Sequence, residues 1–239
     1  MSERFASLQK VLPQHLISRW IGKLAASENP TISKVFIEQF ARAYDISLKE
    51  ADRKDFSDYT SFNDFFTRAL DSNARPMPGA VNELASPVDG CVSQLGRICD
   101  EQLFQAKGQR YSLRGLAGKA GQGFEGGDFC TIYLAPSDYH RIHLPYAGTL
   151  TQTIALPGAL FSVNGITEEY IEGLFLRNER LVCRFDTSFG PMLVILVGAL
   201  IVASIETVWP GPTSPYQTIK THEHNLAFER GAEIGRFLL

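Results

Sequence analysis

The chain has 239 residues, 44% of them hydrophobic and 21% charged, with a formal net charge of −3 at pH 7. That length can bury one large core, or a core with a helical annex. The slight acidity excludes a broad phosphate-neutralising surface, so nucleic acid is not an expected partner. Cys91, Cys99, Cys130 and Cys183 are widely spaced with no Cys-x-x-Cys pair, which fits reduced thiols in an intracellular protein better than a disulfide or zinc framework.

From the N-terminus, Phe5, Leu8, Val11, Leu12, Leu16, Ile17, Trp20, Ile21 and Leu24 recur at helical spacing, with Pro13 dividing the stretch into two helices. Arg4, Lys10, Arg19 and Lys23 lie off this stripe, so the segment suits either a membrane interface or a helix packed on the core. No apolar run followed by a small-residue cleavage site indicates secretion. Ile32, Val35, Phe36, Phe40 and Tyr44 continue the pattern, and Ser47-x-x-Glu50 has the form of a capping box opening a short helix. Ser61 then caps a helix expected to run to Leu70, with Phe62, Phe65, Phe66 and Ala69 on one face.

The Pro/Gly-rich stretch Asn73 to Gly79 marks a boundary between a helical region, 1–72, and a β-rich body, 73–239. Strands are expected at Cys91–Ile98, Phe129–Leu134, Gly148–Ala155, Arg180–Asp186, Met192–Val197 and Ile201–Val208, with loops at Lys119–Asp128 and Pro210–Gln217. The charge-free run Pro191–Ile205 falls short of the roughly 20 residues that span a bilayer. The fold class is therefore α+β, N-terminal helices followed by a β-rich body. That body contains an internal pseudo-duplication: Pro87–Gln94 aligns without gaps on Pro145–Gln152, sharing the proline, the glycine, an apolar residue, a hydroxyl residue and the glutamine.

Chemistry concentrates in Asp138-Tyr139-His140-Arg141-Ile142-His143-Leu144-Pro145, where two of the five histidines stand three residues apart. Histidine is the side chain best suited to moving protons near neutral pH. In the repeat, Asp89 of the first copy faces Ala147 of the second, and the second copy begins just after His143. An aspartate and a histidine on matching turns could meet, Asp89 accepting a hydrogen bond from one ring nitrogen of His143 and leaving the other as a base. Plain structural readings stand beside these: strand-end histidines satisfied by hydrogen bonds, and a turn carboxylate binding backbone amides. His222-x-His224 lies in a polar stretch without a third metal ligand, and Asn178-Glu179-Arg180 reads as a structural turn.

Taken together the chain resembles the bacterial phosphatidylserine decarboxylases. The matching stretches are Phe62-Asn63-Asp64-Phe65-Phe66-Thr67-Arg68-x-Leu70 with Arg75-Pro76, Pro87-x-Asp89-Gly90, and Gln105-Ala106-Lys107-Gly108-x-x-Tyr111-Ser112-Leu113. They continue through Asp138-Tyr139-His140-Arg141-x-His143-x-Pro145, Pro157-Gly158-x-Leu160-Phe161-Ser162-Val163-Asn164, Asn178-Glu179-Arg180, Val197-Gly198-Ala199 and Gly235-Arg236-Phe237. The resemblance implies a proenzyme in which a serine attacks the preceding carbonyl, so that a separate α chain begins with a covalent pyruvoyl group. That group forms a Schiff base with phosphatidylserine and yields phosphatidylethanolamine and carbon dioxide, with no metal. It further implies Asp89 and His143 as activators of the serine, and His140 as a substrate-positioning or proton-transfer group. Lys107 beside Gly108 suits either a contact to the lipid phosphate or carboxylate or a solvent-facing turn, and Phe161, Ser162 and Asn164 after Pro157-Gly158 suit a substrate-binding loop, although Leu160, Phe161 and Val163 would serve a core equally well. The expected partners are the pyruvoyl-bearing α chain and phosphatidylserine at the cytoplasmic face of the membrane, in a dimer of αβ units. The Gly-Ser-Thr segment that supplies the serine in the family does not follow Leu238-Leu239 here, so the chain is expected to be the larger, β chain. Two other readings stay open: a zinc peptidase with His140, His143 and Asp89 as ligands, and a non-enzymatic membrane-surface binding module.

Overall fold

The computed structural model describes residues 2–77, 79–80, 82–100, 102–104 and 110–239. Lys107, with the rest of its Gln105–Gly108 motif, lies outside the described residues. Helices α1 (Ser2–Gln9) and α2 (Gln14–Ala25) are divided at Pro13, and α3 (Pro30–Ala43) follows an Asn29 cap whose Oδ1 accepts from the Thr31 and Ile32 amides at 3.0 and 3.3 Å. The helices follow the apolar spacing, but they are turned the other way from a core-packed stripe. Ala6, Gln9, Gln14, Ser18 and Ala25 face inward, while Leu8, Val11, Leu16, Trp20 and Leu24 are exposed. Buried polar side chains need partners, and these find them: Gln9 pairs with the amide and hydroxyl of Ser162 at 2.8 and 2.7 Å, and Gln14 accepts from the Leu160 amide at 2.7 Å.

Helix α4 (Phe62–Phe66) is too short to persist alone. Ser61 caps it through the Asp64 amide at 3.1 Å, a bond of about 1 kcal/mol. Its buried Phe62, Phe65 and Phe66 pack with Phe36 and Phe40 of α3, the Phe36 and Phe62 rings stacked at 4.0 Å. Two expectations fail beside it. The helix ends at Phe66 rather than Leu70, because the Asp52 amide binds the Ala69 carbonyl and the Asp71 amide binds the Glu50 carbonyl, drawing 69–71 into an extended pairing. No helix opens at Ser47, since Glu50 pairs with Arg75 instead of reaching back to a cap.

The strands of the body pair antiparallel among the described residues, with one isolated parallel bridge between Ala159 and Asn178. Strand β1 (Cys91–Arg97) pairs with β4 (Asp128–Tyr133), and β2 (Gln102–Phe104) with β3 (Arg110–Ser112), which leads into α5 (Leu113–Ala117). A four-stranded sheet has the order β10-β6-β7-β8, from Lys220–Phe228, Gly148–Leu156, Arg180–Thr187 and Gly190–Val197. A three-stranded sheet has the order β5-β11-β9, from Arg141–His143, Glu233–Leu238 and Ser204–Thr207. Ile154 and Val182 serve the core on one face of the larger sheet, while Leu181 and Cys183 serve the core on the other, as the two-residue period of a strand requires. The six expected strands are present with shifted ends, the last shortened to Ser204–Thr207. The stretch read as a loop from Lys119 opens with a 3-10 turn, Gly118–Gly121. Strands β2, β3, β5, β10 and β11 and helices α5, α6 (Gly165–Tyr170) and α7 (Leu174–Arg177) are not among the elements expected from the sequence. Asn178, Glu179 and Arg180 are buried, and burial pushes the Arg180 guanidinium down to about 10 while it caps the carbonyls of Gly115, Leu116 and Leu176.

The internal repeat is real in three dimensions. At the offset of 58 residues that relates the two copies, the His143 amide donates to the Pro87 carbonyl at 2.8 Å and the Ala85 amide donates to the Pro145 carbonyl at 2.9 Å. Those are the reciprocal bonds that a local two-fold axis between the copies demands. The strands also break register at matching points, Val92/Gln94 in β1 and Leu150/Gln152 in β6. Gly90 and Gly148 both lie against a partner-strand carbonyl: an added Cβ would meet the Tyr133 oxygen at 2.5 Å and the Asp186 oxygen at 2.9 Å. Glycine is required there because a backbone passes where a side chain would begin.

Candidate active site

The Asp138–Pro145 segment crosses this two-fold region, and β5 is pinned on both sides. Arg141 donates to the Thr67 carbonyl at 2.7 Å and to Glu233 of β11 at 2.9 Å, so the strand is tied to the end of α4 and to its neighbour. Glu233 stands opposite His143 in register and is also ion-paired with Arg236.

His143 has both ring nitrogens engaged. Nδ1 lies 2.8 Å from the Gly231 carbonyl and Nε2 lies 2.9 Å from the Tyr139 hydroxyl. A carbonyl only accepts, so Nδ1 carries the hydrogen. In the neutral ring Nε2 is then the bare acceptor and Tyr139 donates to it. The tyrosine and imidazole rings lie nearly parallel, at 16°, with centroids 5.6 Å apart. The atom available for base chemistry is therefore Nε2. The carbonyl that orients it comes from a residue 88 positions away in the chain.

That arrangement corrects the expected bond between Asp89 and His143. The Asp89 carboxylate is instead held by Arg75, through Nε at 2.9 and 3.1 Å and Nη2 at 2.6 Å. Arg75 also pairs with Glu50 at 2.9 Å, and the two carboxylates, Asp89 first, hold its guanidinium above the ordinary arginine value. The fork geometry of guanidinium and carboxylate explains the preference: two parallel charge-assisted bonds outcompete one bond to a ring nitrogen already satisfied by a carbonyl. Asp89 still belongs to the neighbourhood. It lines a cleft of about 200 Å³ with Arg68, Arg75, Ser137, Asp138 and Tyr139.

His140 is buried, its ring 3.9 Å from that of Phe66. Burial pushes its pKa down to about 4, so it is neutral at physiological pH. Nδ1 donates to the Asp138 carbonyl at 2.8 Å, which leaves Nε2 as an acceptor with no partner among the described residues. The Arg68 guanidinium close by is buried too. Its Nη2 donates to the Ser137 carbonyl at 2.9 Å, and its Nη1 has no partner among the described residues.

The loop expected to bind substrate is built differently and does not line this cleft. Phe161 belongs to the core, with its amide and carbonyl held by the Asn178 side chain at 3.1 and 2.8 Å. Ser162 is bonded to Gln9, and Asn164 caps α6 through the Ile166 and Thr167 amides at 3.0 and 3.1 Å. His140, His143 and Asp89 do not converge as metal ligands, and no group of three or more His, Cys, Asp or Glu among the described residues could hold a metal ion. His224 lies on β10 with Nε2 2.9 Å from the Thr153 hydroxyl. Sequence reasoning gave no role to Tyr139, Arg75 or Gly231. Tyr139, four residues before His143, was the one within reach.

Family comparison agrees with the motif pattern. A family model described as Phosphatidylserine decarboxylase matches residues 62–239, and one described as PSD matches residues 4–45. The chain belongs to the phosphatidylserine decarboxylase family. The phosphatidylserine decarboxylase proenzyme of Psychrobacter cryohalolentis is 49% identical over 237 residues, covering 98% of this chain and 86% of that protein. The proenzyme of Acinetobacter baumannii is also 49% identical, over 99% of this chain and 84% of the relative, and that of Acinetobacter baylyi 49% identical over 98% and 83%. Every site element described above falls in the 62–239 segment of the family match except α1 to α3 and Glu50.

Proposed function

We propose that this chain is the β chain of a pyruvoyl-dependent phosphatidylserine decarboxylase, converting phosphatidylserine to phosphatidylethanolamine and carbon dioxide. The observation that carries the reading is 49% identity across nearly the whole chain to proteins named as proenzymes of that decarboxylase. The pyruvoyl group, on a separate α chain, would supply the electron sink that decarboxylation needs. The residues present fit such a carbonyl: neutral His140 has a free Nε2 acceptor, and Arg68 beside it has an orphaned donor.

His143 acts in the self-cleavage step. Its Nε2 takes the proton of a reacting hydroxyl, because an un-ionised serine is a weak nucleophile until a base removes that proton. Asp89, fixed by Arg75, sets the charge of the adjoining cleft. His140 faces the substrate as an uncharged imidazole that can accept or return one proton. Phe161, Ser162 and Asn164, which lie away from the Asp89 cleft with Phe161 bordering a separate hollow beside Pro13 and Arg177, and Lys107 are the proposed substrate-binding residues.

Residues 1–72 are the membrane-associating region and 73–239 the catalytic body. The outward stripe supports this: Val11 and Trp20 are 78% and 68% exposed, with Leu8, Leu16, Leu24, Ile32 and Val35 beside them, while the polar glutamines face in. A water-soluble surface rarely shows so many large apolar groups along adjoining helices, and a lipid surface would cover them. Lys23 sits 5.4 Å over the exposed Trp20 ring, so a cation stands beside the apolar stripe where it could meet lipid phosphates. No helix among the described residues is long and apolar enough to cross a membrane, so the association would be peripheral. The enzyme would work on the cytoplasmic face, as a dimer of αβ units.

Intact-mass analysis of the native protein tests the central reading. A second, small polypeptide bearing a pyruvoyl group is expected, and its absence would overturn the β-chain assignment. Deletion of the residues before Pro30 should abolish liposome binding; unchanged binding would refute the anchor.

A further inference from the structure

We propose that the hollow at the elbow between α1 and α2 binds one anionic phospholipid of the bilayer, its phosphate held between Lys10 and Arg177. The inference rests on the reading of residues 1–72 as membrane-associating, and it deepens that reading by naming the lipid class and the place that takes it. The hollow has a volume of about 400 Å³ and shares no lining residue with the Asp89 cleft. Small-molecule sites run from about 300 to 1,000 Å³, so a headgroup fits inside while two acyl chains must run out of it.

Its walls divide by chemistry. Leu12, Leu16 and Phe161 form an apolar side, Lys10, His15 and Arg177 a polar one, and no carboxylate is among the lining residues. Lys10 and Arg177 are exposed, and neither is ion-paired among the described residues. The Arg177 guanidinium carbon stands 4.8 Å over the Phe161 ring. That cation–π contact steadies the planar fork without using its N–H donors, and a phosphodiester is an anion that such a fork fits.

The hollow also joins the outward apolar stripe. Leu16 lines it and is 54% exposed, in the same row as Val11 and Trp20. A phosphate at Lys10 and Arg177 therefore lays its acyl chains along that row. A free phosphate ion would leave Leu12, Leu16 and Phe161 without a partner, so a phospholipid is the occupant that fits both sides. Its net charge should be negative, because a zwitterionic headgroup brings its own ammonium against two unpaired cations.

The elbow is fastened to the body next to this hollow. Gln9 bonds the Ser162 hydroxyl and amide at 2.7 and 2.8 Å, Gln14 accepts from the Leu160 amide at 2.7 Å, and His15 Nε2 donates to the Gly158 carbonyl at 2.9 Å. The Arg177 carbonyl in turn accepts from the Ala159 amide at 2.7 Å. A lipid bridging Lys10 and Arg177 closes the same joint from outside.

The experiment measures binding of dihexanoyl phosphatidylglycerol, kept below its micelle concentration, to the full-length protein by native mass spectrometry. This lipid is anionic and has no carboxylate to lose, so binding is read without turnover. One lipid per chain is expected, with dihexanoyl phosphatidylcholine binding at least about 10-fold more weakly. Arg177→Gln and Lys10→Gln should each weaken binding about 10-fold, the size of one hydrogen bond to a charged group. Arg177→Lys should recover only part of the loss, since the charge returns without the fork. Lys34→Gln, which removes an exposed lysine of α3 outside the hollow, should bind as the wild type does. Inorganic phosphate should not displace the lipid. Absence of bound lipid in the wild type, equal binding of the two headgroups, full displacement by inorganic phosphate, or unchanged binding in both glutamine variants would each overturn the site. If Arg177→Gln fails to fold, Lys10→Gln carries the test alone. Sedimentation with vesicles of phosphatidylcholine and phosphatidylglycerol separates the two readings. A wild type that sediments but binds no monomeric lipid keeps the membrane association and loses this site, whereas one that does not sediment loses the association on which the site rests.

Discussion

The arms Pro87–Gln94 and Pro145–Gln152 are the same piece of architecture used for different purposes. Both turn on a glycine that lies against a neighbouring carbonyl, both enter a strand, both break register at the same step, and each gives the other one backbone hydrogen bond. What differs is the cargo. His143 occupies the position of Ala85, Ala147 that of Asp89, and buried His140 that of exposed Asn82. Features present in both copies are what the turn and strand require, so the departures are where chemistry was added to a scaffold that does not need it. The bonds across the axis are made by backbone atoms, which leaves those side chains free to vary without unpairing the arms.

Replacing each special residue by its counterpart in the other arm tests that division, and the largest effect is expected at His143. His143→Ala copies Ala85, keeps the amide bond to Pro87, and should fold normally while self-cleavage of the proenzyme drops about 10²- to 10⁴-fold. A variant that folds and cleaves normally would show that the departure is decorative. Asp89→Ala copies Ala147 and frees Arg75 to Glu50 alone. Because Asp89 does not touch His143, its loss should cost less, roughly 10-fold, the size of one charge-assisted hydrogen bond. Equal losses at the two positions would mean that Asp89 reaches His143 during the reaction.

His140 sharpens the comparison through pH. Its folded pKa of about 4 lies below the ordinary 6.5, so the unfolded chain takes up a proton first as the solution is acidified. The stability it contributes is complete above about pH 6.5 and is lost as the pH falls towards 4, by about 3 kcal/mol in all. Thermal unfolding of the wild type and of His140→Asn, which copies Asn82, should diverge in their slopes over that window and run parallel above it. Parallel curves throughout would show that His140 is not buried neutral.

How far the sequence carried these conclusions depended on where each signal resides. The central strands of the large sheet were legible because Arg180–Thr187 and Gly190–Val197 are dense in apolar residues. Strand β10 was not, because seven of its nine residues, Lys220 to Glu223 and Asn225 to Ala227, are exposed and no alternation survives, and β11 hides behind Gly235 and Arg236. The helical stripe of α1 and α2 was read correctly as helix, but periodicity cannot say which face turns inward, and here glutamine and serine do. In the site, the histidines were found by density and the repeat by alignment. The bond to Gly231 was out of reach, since an unremarkable backbone carbonyl 88 residues away leaves no mark in composition or spacing.

The smallest effect concerns the scaffold alone. Gly90→Ala and Gly148→Ala each place a Cβ against a strand carbonyl, at 2.5 Å and 2.9 Å. Neither obstacle is a flexible side-chain end, so the backbone itself must move, and overpacking of this kind costs about 1–3 kcal/mol. If the arms are equivalent, both variants should lower the melting temperature, and Gly90→Ala should lower it more because its carbonyl is closer. The two changes lie on arms that bond each other, so the double variant should depart from additivity, a movement at one turn partly relieving or aggravating the other. Strict additivity would mean that the arms meet without transmitting strain. The two-fold relation would then describe how the body is assembled and would say nothing about how His143 is held in place.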